Sequence, residues 1–417
     1  MSTAFSQSPF GHQPPAPTVP AKRPRDVRLD FFRGLGMFII FIAHVPTNSW
    51  AQVIPARFGF SDATEIFVFC SGMASAVAFG KLFDDRGVIA GLSRVAFRCW
   101  QVYWAHIAVF MVCAAVYVAA DDLLANGGHY VRNQGLWPFF SETPSHLLGL
   151  LTLTYVPGLF NILPMYLVIL ALLPLVVLVE RHFGRMAVAA FILGVYAIGT
   201  TGAISLPEQP GTSGIWFFNP FAWQLVFFTG FAFMRGWLPV PPVDRRLMIA
   251  AATVLVVLVP FAYVPLVDNV EFFRDGNRAL WPLIDKTHFR PLRLVHFLSF
   301  AYLVWVLAGE GGRHLSGPYV RICCKVGQQA LGVFMAGIVL SQVAGIVLDQ
   351  TGRGLLATSL VNLAGCTLLV AVAYTAAYFK SQPWVAAKPI PQPRPPRERS
   401  EPLASPSAAA MTGGPAE

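Results

Sequence analysis

The sequence predicts an all-α polytopic membrane protein with about ten transmembrane helices and both termini in the cytoplasm. Hydrophobic residues make up 55% of the 417 residues and charged residues only 12%, whereas a soluble domain carries about 25% charged residues. Apolar stretches close to the length that crosses a bilayer as a helix recur along the chain. They are 30–49, 64–83, 99–120, 160–179, 186–205, 216–234, 247–267, 294–309, 326–348 and 355–378. The shorter stretch 146–160 contains Pro157 and Gly158, and we interpret it as interfacial or re-entrant.

The basic residues orient these helices. With the N-terminus inside, most of the 30 Lys and Arg residues fall in cytoplasmic segments, as the positive-inside rule requires. A basic inner surface facing anionic lipid accounts for the net charge of +9, so we expect the lipid bilayer and no nucleic acid as a partner. Residues 1–28 and 381–417 are polar and Pro-rich, which predicts disordered cytoplasmic tails around a transmembrane domain at 29–380. No signal-peptide core precedes Leu29.

The first predicted span contains two ionisable side chains. Such residues are costly at membrane depth and usually mark a functional site. Arg33 and His44 are 11 positions apart, so they share one helical face about 16 Å apart along the axis. In the predicted orientation, Arg33 lies toward the cytoplasm and His44 toward the outside.

The second span begins on the outer side with two carboxylates, Asp62 and Glu65. His44 lies at a similar depth, so imidazole and carboxylate suit a base and the group that orients it. The alternative is that the acidic residues only favour the start of the helix.

The third span enters from the cytoplasm with Arg94 and Arg98 on one face, followed by His106. Arginine pairs readily with phosphate, although the same residues also suit plain snorkelling to the lipid interface. His106 is interpreted either as a site residue or as a packing histidine.

The eighth span begins on the outer side with Arg290, Arg293 and His296. These residues form a cationic edge that suits a carboxylate of an acyl donor or an anionic glycan; interfacial anchoring is the alternative. The preceding loop, 268–290, mixes charged and aromatic residues, which is typical both of sugar sites and of membrane interfaces.

Several of these segments together resemble a known family. LDFFRGL followed by His44 resembles the first-helix signature of the membrane-bound acyltransferase family 3, and EIFVFCSGM resembles its second-helix signature. SRVAFRCWQVY resembles the Arg-rich entry to its third helix, without the usual Pro. AHVPTNSW and FRPLRLVHFLSF are more similar to the OpgC proteins, succinyltransferases of osmoregulated periplasmic glucans. The resemblance covers about residues 25–378 and is most specific in the first 100.

The resemblance implies transfer of an acyl group from cytoplasmic acyl-CoA to a sugar hydroxyl across the membrane. It implies that His44 is the catalytic histidine, Arg33 the donor-binding arginine, and Glu65 and Arg98 the acidic and basic residues of the next two helices. An extended pantetheine arm is long enough to bridge the roughly 16 Å between Arg33 and His44.

The remaining site residues are assigned around this path. Asp62 or Glu65 would steady the protonated imidazole, and Arg94 would join the other arginines at the CoA phosphates. Candidate substrate-binding residues are Arg290, Arg293, His296, His106 and Asn48. No metal and no permanently bound cofactor are expected; succinyl-CoA is the expected co-substrate.

The expected protein is therefore an O-succinyltransferase, multi-pass in the bacterial inner membrane, with periplasmic glucan as acceptor. An enzyme that moves acetyl or another acyl group to a different envelope glycan is the main alternative, because the first-helix motif does not report the acyl group. A transporter fits less well, since the charges concentrate in the first three spans and no internal repeat is evident.

Overall fold

The chain folds into helices throughout the region that the structure, a computed structural model, describes: residues 26–385. No strand is assigned there; Pro207 and Ile215 form an isolated bridge. The helices are α1 (Val27–His44), α2 (Ala63–Ser75), α3 (Lys81–Leu123), α4 (His129–Asn133), α5 (Trp137–Ser141), α6 (Thr143–Thr152), α7 (Ile162–Thr200), α8 (Pro220–Arg235), α9 (Arg245–Ala262), α10 (Val264–Asn269), α11 (Glu271–Ile284), α12 (Pro291–Ala308), α13 (Pro318–Gln328), α14 (Ala330–Thr351) and α15 (Leu355–Ser381).

Six helical stretches of the described region are long and apolar enough to cross a membrane. Two of them are far longer than one crossing requires: Ala63–Leu123 has 61 residues and Gly158–Thr200 has 43. Each is interrupted by a glycine in a left-handed conformation, Gly87 at φ 81° and Gly184 at φ 79°. Glycine lacks the Cβ that makes this conformation costly. Each long stretch therefore combines two of the spans predicted from the sequence.

Two further predicted spans are not long and apolar enough to be counted among these membrane-crossing stretches. α1 has the required 18 residues but carries Arg28, Asp30 and Arg33. α8 is only 16 residues long. The polytopic all-α prediction is confirmed, and the count of ten stays a prediction.

The predicted tails lie mostly outside the described residues, which exclude 1–25 and 386–417. α1 begins at Val27, two residues before the predicted domain boundary. The predicted interfacial stretch 146–160 contains the end of α6 and a short 3₁₀ turn, Gly158–Phe160. A second compact unit begins at Tyr378; in its described part, the rings of Phe379 and Trp384 are 6.0 Å apart.

Glycines bring α1 into direct backbone contact with α13. A Cβ placed on Gly34 would lie 1.8 Å from the carbonyl oxygen of Cys323, and one on Gly327 would lie 1.9 Å from that of Asp30. Small residues allow such close approach in membrane helices. The helix that carries Arg33 and His44 is thus held against α13 by backbone packing.

α2 and α8 are joined by a reciprocal pair of glycine contacts. Gly72 of α2 faces the carbonyl oxygen of Phe227, and Gly230 of α8 faces that of Phe69. The packing fixes the position of α2, whose first turn carries the predicted carboxylates.

Candidate active site

Asp62 and Glu65 form the capping box that begins α2. The Asp62 carboxylate accepts from the backbone N–H of Thr64 at 2.7 Å, and Glu65 Oε2 accepts from that of Asp62 at 2.9 Å. Such reciprocal bonds satisfy N–H groups that the first turn of a helix leaves unpaired. The alternative noted from the sequence, that these acidic residues favour the start of the helix, is therefore present in the structure. Each carboxylate also interacts with a basic side chain.

Glu65 forms a buried ion pair with Arg293, at the start of α12. Glu65 Oε1 accepts from Arg293 Nε at 2.9 Å and from Nη2 at 2.6 Å. The Glu65 side chain is 0% exposed and that of Arg293 8%. Each of these buried charges has lost its hydration and is stabilised by the opposite charge of the other. The ion pair therefore links α2 to α12.

Asp62 pairs with a lysine that the sequence did not single out. Lys286 Nζ lies 2.5 Å from Asp62 Oδ2. Burial alone would raise the pKa of Asp62, but the nearby Lys286 and Arg293 outweigh it and hold that pKa below its usual value. Lys286 lies in the run KTHFRPLRLVHFLSF, which marked the eighth span, and no local signal distinguished it from an ordinary loop lysine.

His44 is the last residue of α1 and is half-buried. Its Nδ1 lies 2.7 Å from the carbonyl oxygen of Ile40, and a carbonyl can only accept, so Nδ1 carries the hydrogen. In the neutral ring, Nε2 then has the free lone pair that a base requires. Neither Asp62 nor Glu65 hydrogen-bonds to the imidazole; Asp62 and Lys286 lie within electrostatic range of it.

Asn48 fixes the segment that follows His44. Its amide exchanges hydrogen bonds with that of Asn362 at 2.9 and 3.0 Å, donates to the carbonyl of Ile42 at 2.9 Å and accepts from Trp50 N–H at 3.1 Å. These four bonds use the full capacity of an amide. The structure thus gives Asn48, which we predicted to bind substrate, a buried structural position.

Arg33 lies in the N-terminal half of α1, within electrostatic range of Cys70 on α2. Its Nε is buried and has no hydrogen-bond partner among the described residues. A buried guanidinium nitrogen without a partner is costly, and it marks Arg33 as a cation available to a ligand.

Arg94 and Arg98 are not brought together with Arg33 by any hydrogen bond or ion pair of the described region. Arg94 is exposed, with its guanidinium 5.9 Å from the ring centre of Phe97. Arg98 donates to Gln101 at 3.2 Å.

The two other predicted histidines are both buried, in different settings. His106 of α3 is 1% exposed, and neither ring nitrogen has a partner within residues 26–385. His296 Nδ1 lies 2.7 Å from Ser61 Oγ, next to the Asp62 capping box. A Cβ on Gly59 would lie 2.0 Å from His296 Nε2, so glycine there makes room for the ring.

An apolar crevice of about 360 Å³ lies between α1, α2, α8 and α12. Ile66 and Phe297 line it close to the Glu65–Arg293 pair, and Arg28 and Trp305 line it toward the start of α1 and the end of α12. Cys70, the neighbour of Arg33, is also part of its wall. This crevice could not be predicted from the sequence, because its walls come from four separate segments of the chain.

Comparison with known proteins identifies the family. The family model described as OpgC protein matches residues 25–381, which is most of the chain. The chain belongs to the OpgC family. No curated protein and no solved structure matches it.

Membership in the OpgC family makes this chain a membrane acyltransferase of the type that modifies osmoregulated periplasmic glucans. The match confirms the OpgC resemblance seen in the sequence.

Proposed function

We propose that this OpgC-family protein transfers a succinyl group from cytoplasmic succinyl-CoA to a hydroxyl of a periplasmic glucan, in the bacterial inner membrane. One observation carries the proposal. Within residues 26–385, α1 holds in its N-terminal half a partly buried arginine whose Nε has no hydrogen-bond partner and, 11 residues later, at its C-terminal end, a histidine with a free ring nitrogen.

The two ends of α1 suit the two ends of an acyl-CoA. Arg33 would bind the donor on the cytoplasmic side, with Arg94 and Arg98 nearer the phosphates, while the thioester would reach His44 about 16 Å farther along the axis. The apolar crevice supports the donor end of this path, since its wall includes Phe32, the residue before Arg33, and Cys70, which lies within electrostatic range of Arg33.

His44 Nε2 would act as the base. It takes the proton of the acceptor hydroxyl, whose oxygen attacks the thioester carbonyl carbon. When the tetrahedral intermediate collapses, the carbon–sulfur bond breaks and the imidazolium returns the proton to the leaving thiolate. Asp62 would stabilise the imidazolium through space, although its ion-pair partner Lys286 opposes this effect, and Glu65 is paired with Arg293. An acyl-histidine intermediate on His44 is the alternative sequence of steps.

The outer arginines suggest how a succinyl carboxylate would be recognised. Arg293 is neutralised by Glu65. Arg290 has a buried Nε that lacks a partner among the described residues, and arginine binds carboxylates well. We therefore assign the carboxylate to Arg290.

The test is the charge of glucan from a deletion strain complemented with variants. Wild type should restore succinyl half-esters and His44→Ala should not, while remaining in the membrane at the same level. His182→Ala is the matched control, because His182 Nδ1 makes the same bond to a carbonyl four residues earlier, at 2.9 Å from Leu178, but is exposed. Succinylation by the His44 variant, or none by wild type, would overturn the proposal.

A further inference from the structure

The turn between α11 and α12, residues 285–290, is anchored to other parts of the chain through its backbone carbonyl groups. Four consecutive carbonyls each accept a hydrogen bond from another part of the chain. The pairs are Lys286 with Trp223 Nε1 at 2.9 Å, Thr287 with Asn219 N at 3.0 Å, His288 with Thr200 Oγ1 at 3.0 Å and Phe289 with Tyr196 OH at 3.1 Å. Side chains on this turn therefore point in fixed directions.

The backbone of the turn is also strained. Phe289 adopts φ 43°, a left-handed conformation that is uncommon for a residue with a large side chain. The ring is fully buried, 4.7 Å between centroids from that of Trp223. Strain of this kind persists where the surroundings over-determine it, most often at functional sites.

Within the turn, Asp285 orients the imidazole of His288. His288 Nδ1 donates to Asp285 Oδ2 at 2.6 Å, and the same carboxylate accepts from the N–H groups of Thr287 at 3.1 Å and His288 at 3.3 Å. A carboxylate on Nδ1 directs the lone pair of a neutral ring to Nε2. The His288 side chain is 19% exposed and that of Asp285 17%, so the pair is sheltered but reachable.

Gly202 lies beside His288 Nε2. A Cβ on Gly202 would lie 3.1 Å from that nitrogen, closer than a side chain packs comfortably. No described residue hydrogen-bonds to Nε2, so this nitrogen is oriented by Asp285 and has no protein partner in residues 26–385.

The turn also borders the proposed reaction centre. Lys286, two residues before His288, is paired with Asp62 and lies within electrostatic range of His44. Arg290, two residues after His288, is the arginine assigned to the acyl carboxylate. A group bound by His288 would thus be held by the same anchored turn that carries these two residues.

We propose that His288, positioned by Asp285, is an acceptor-binding residue whose Nε2 accepts a hydrogen bond from a hydroxyl of a polyhydroxylated acceptor. The inference rests on the proposed function and adds an acceptor subsite to it. His288 takes no proton in the reaction, since the proton of the attacking hydroxyl passes to His44.

The test uses the full-length protein in proteoliposomes, with succinyl-CoA inside and a soluble glucose oligosaccharide outside. Asn at position 288 keeps a donor for Asp285 but has no group at the Nε2 position, so His288→Asn should raise the KM for the oligosaccharide about three- to tenfold, the worth of one hydrogen bond. The KM for succinyl-CoA and the kcat at saturating acceptor should stay unchanged. His288→Gln places an amide oxygen near the Nε2 position and should restore part of the affinity.

His129→Asn is the control, because His129 is an exposed histidine after the third span whose one hydrogen-bond partner in residues 26–385 is Asn133. It should leave every parameter unchanged. An unchanged acceptor KM in His288→Asn, or equal losses in the Asn and Gln variants, would overturn the subsite and leave the transfer reaction standing. Absence of transfer by wild type would instead count against the proposed function.

Discussion

Arg293 directs two guanidinium hydrogen bonds, from Nε at 2.9 Å and Nη2 at 2.6 Å, at a single oxygen of Glu65. The other oxygen of Glu65 receives the N–H of Asp62. One buried carboxylate thus completes the start of α2 and fixes α12 beside it. The geometry that places Lys286 within electrostatic range of His44 depends on this link.

Removing one partner of this pair should destabilise the protein strongly. Arg293→Leu leaves the Glu65 charge buried alone, which typically costs about 3–5 kcal/mol. Replacing both residues, in the Glu65→Leu/Arg293→Leu variant, removes the uncompensated charge and should recover much of the loss. Thermal unfolding in detergent measures both, and a double variant no more stable than the single one would show that the pair is not the source of the effect.

Acid should weaken the contact between Asp62 and Lys286. The charges of Lys286 and Arg293 hold the pKa of Asp62 below its ordinary value of 3.8, so this carboxylate contributes stability above about pH 4. That stability is lost as the pH falls through the folded-state pKa. Asp62→Asn should therefore be less stable than wild type at pH 7, with the difference shrinking toward pH 3. A constant difference across that range, measured by thermal unfolding, would contradict the ionic origin.

Arg290 should determine the preference for a carboxylated acyl group. In Arg290→Gln we expect kcat/KM for succinyl-CoA to fall about tenfold or more, as a charged hydrogen bond worth about 1.5–3 kcal/mol is lost, with little change for acetyl-CoA. Arg278→Gln is the control, because the Arg278 side chain is 73% exposed on α11. Equal losses for the two donors would assign Arg290 a structural role.

Replacing Arg33 should change the KM for the acyl donor and leave the KM for the acceptor unaffected. Arg33→Gln removes the cation whose Nε has no protein partner in the described region, so the KM for acyl-CoA should rise about tenfold or more. Arg94→Gln, at an exposed site on α3, should have a smaller effect. Initial-rate measurements at saturating glucan separate the two, and a change confined to acceptor KM would contradict the assignment.

Two glycines of α1 provide a matched test of the packing that holds Arg33 and His44. A Cβ on Gly34 would lie 1.8 Å from the Cys323 carbonyl oxygen, whereas one on Gly36 meets only Ile66 at 3.7 Å. Gly34→Ala should force α1 away from α13, lowering the thermal midpoint and the activity together. Gly36→Ala should be tolerated. Similar midpoints for the two variants would show that this contact is not close in the protein.

Much of the site was visible in the sequence, because hydropathy and helical spacing are local properties. They placed Arg33 and His44 at opposite ends of one helix and two carboxylates at the outer start of the next. They also marked the run that contains Arg290, Arg293 and His296 as an outer edge.

The pairings were not visible, because each joins residues far apart in the chain. Nothing local to Glu65 indicates Arg293, and nothing local to Asp62 indicates Lys286. The same limit applies to Asn48, whose side-chain amide exchanges two hydrogen bonds with that of Asn362.

The sequence by itself thus determined an apolar helical chain and the family of its first helices, and it predicted the orientation of that chain. The tertiary structure alone decided which charges neutralise one another and which stay available, such as Arg33 and Arg290. The physical reason is that a charge in a low-dielectric interior is governed by whichever group packs within a few ångströms of it, and helix packing decides which group that is.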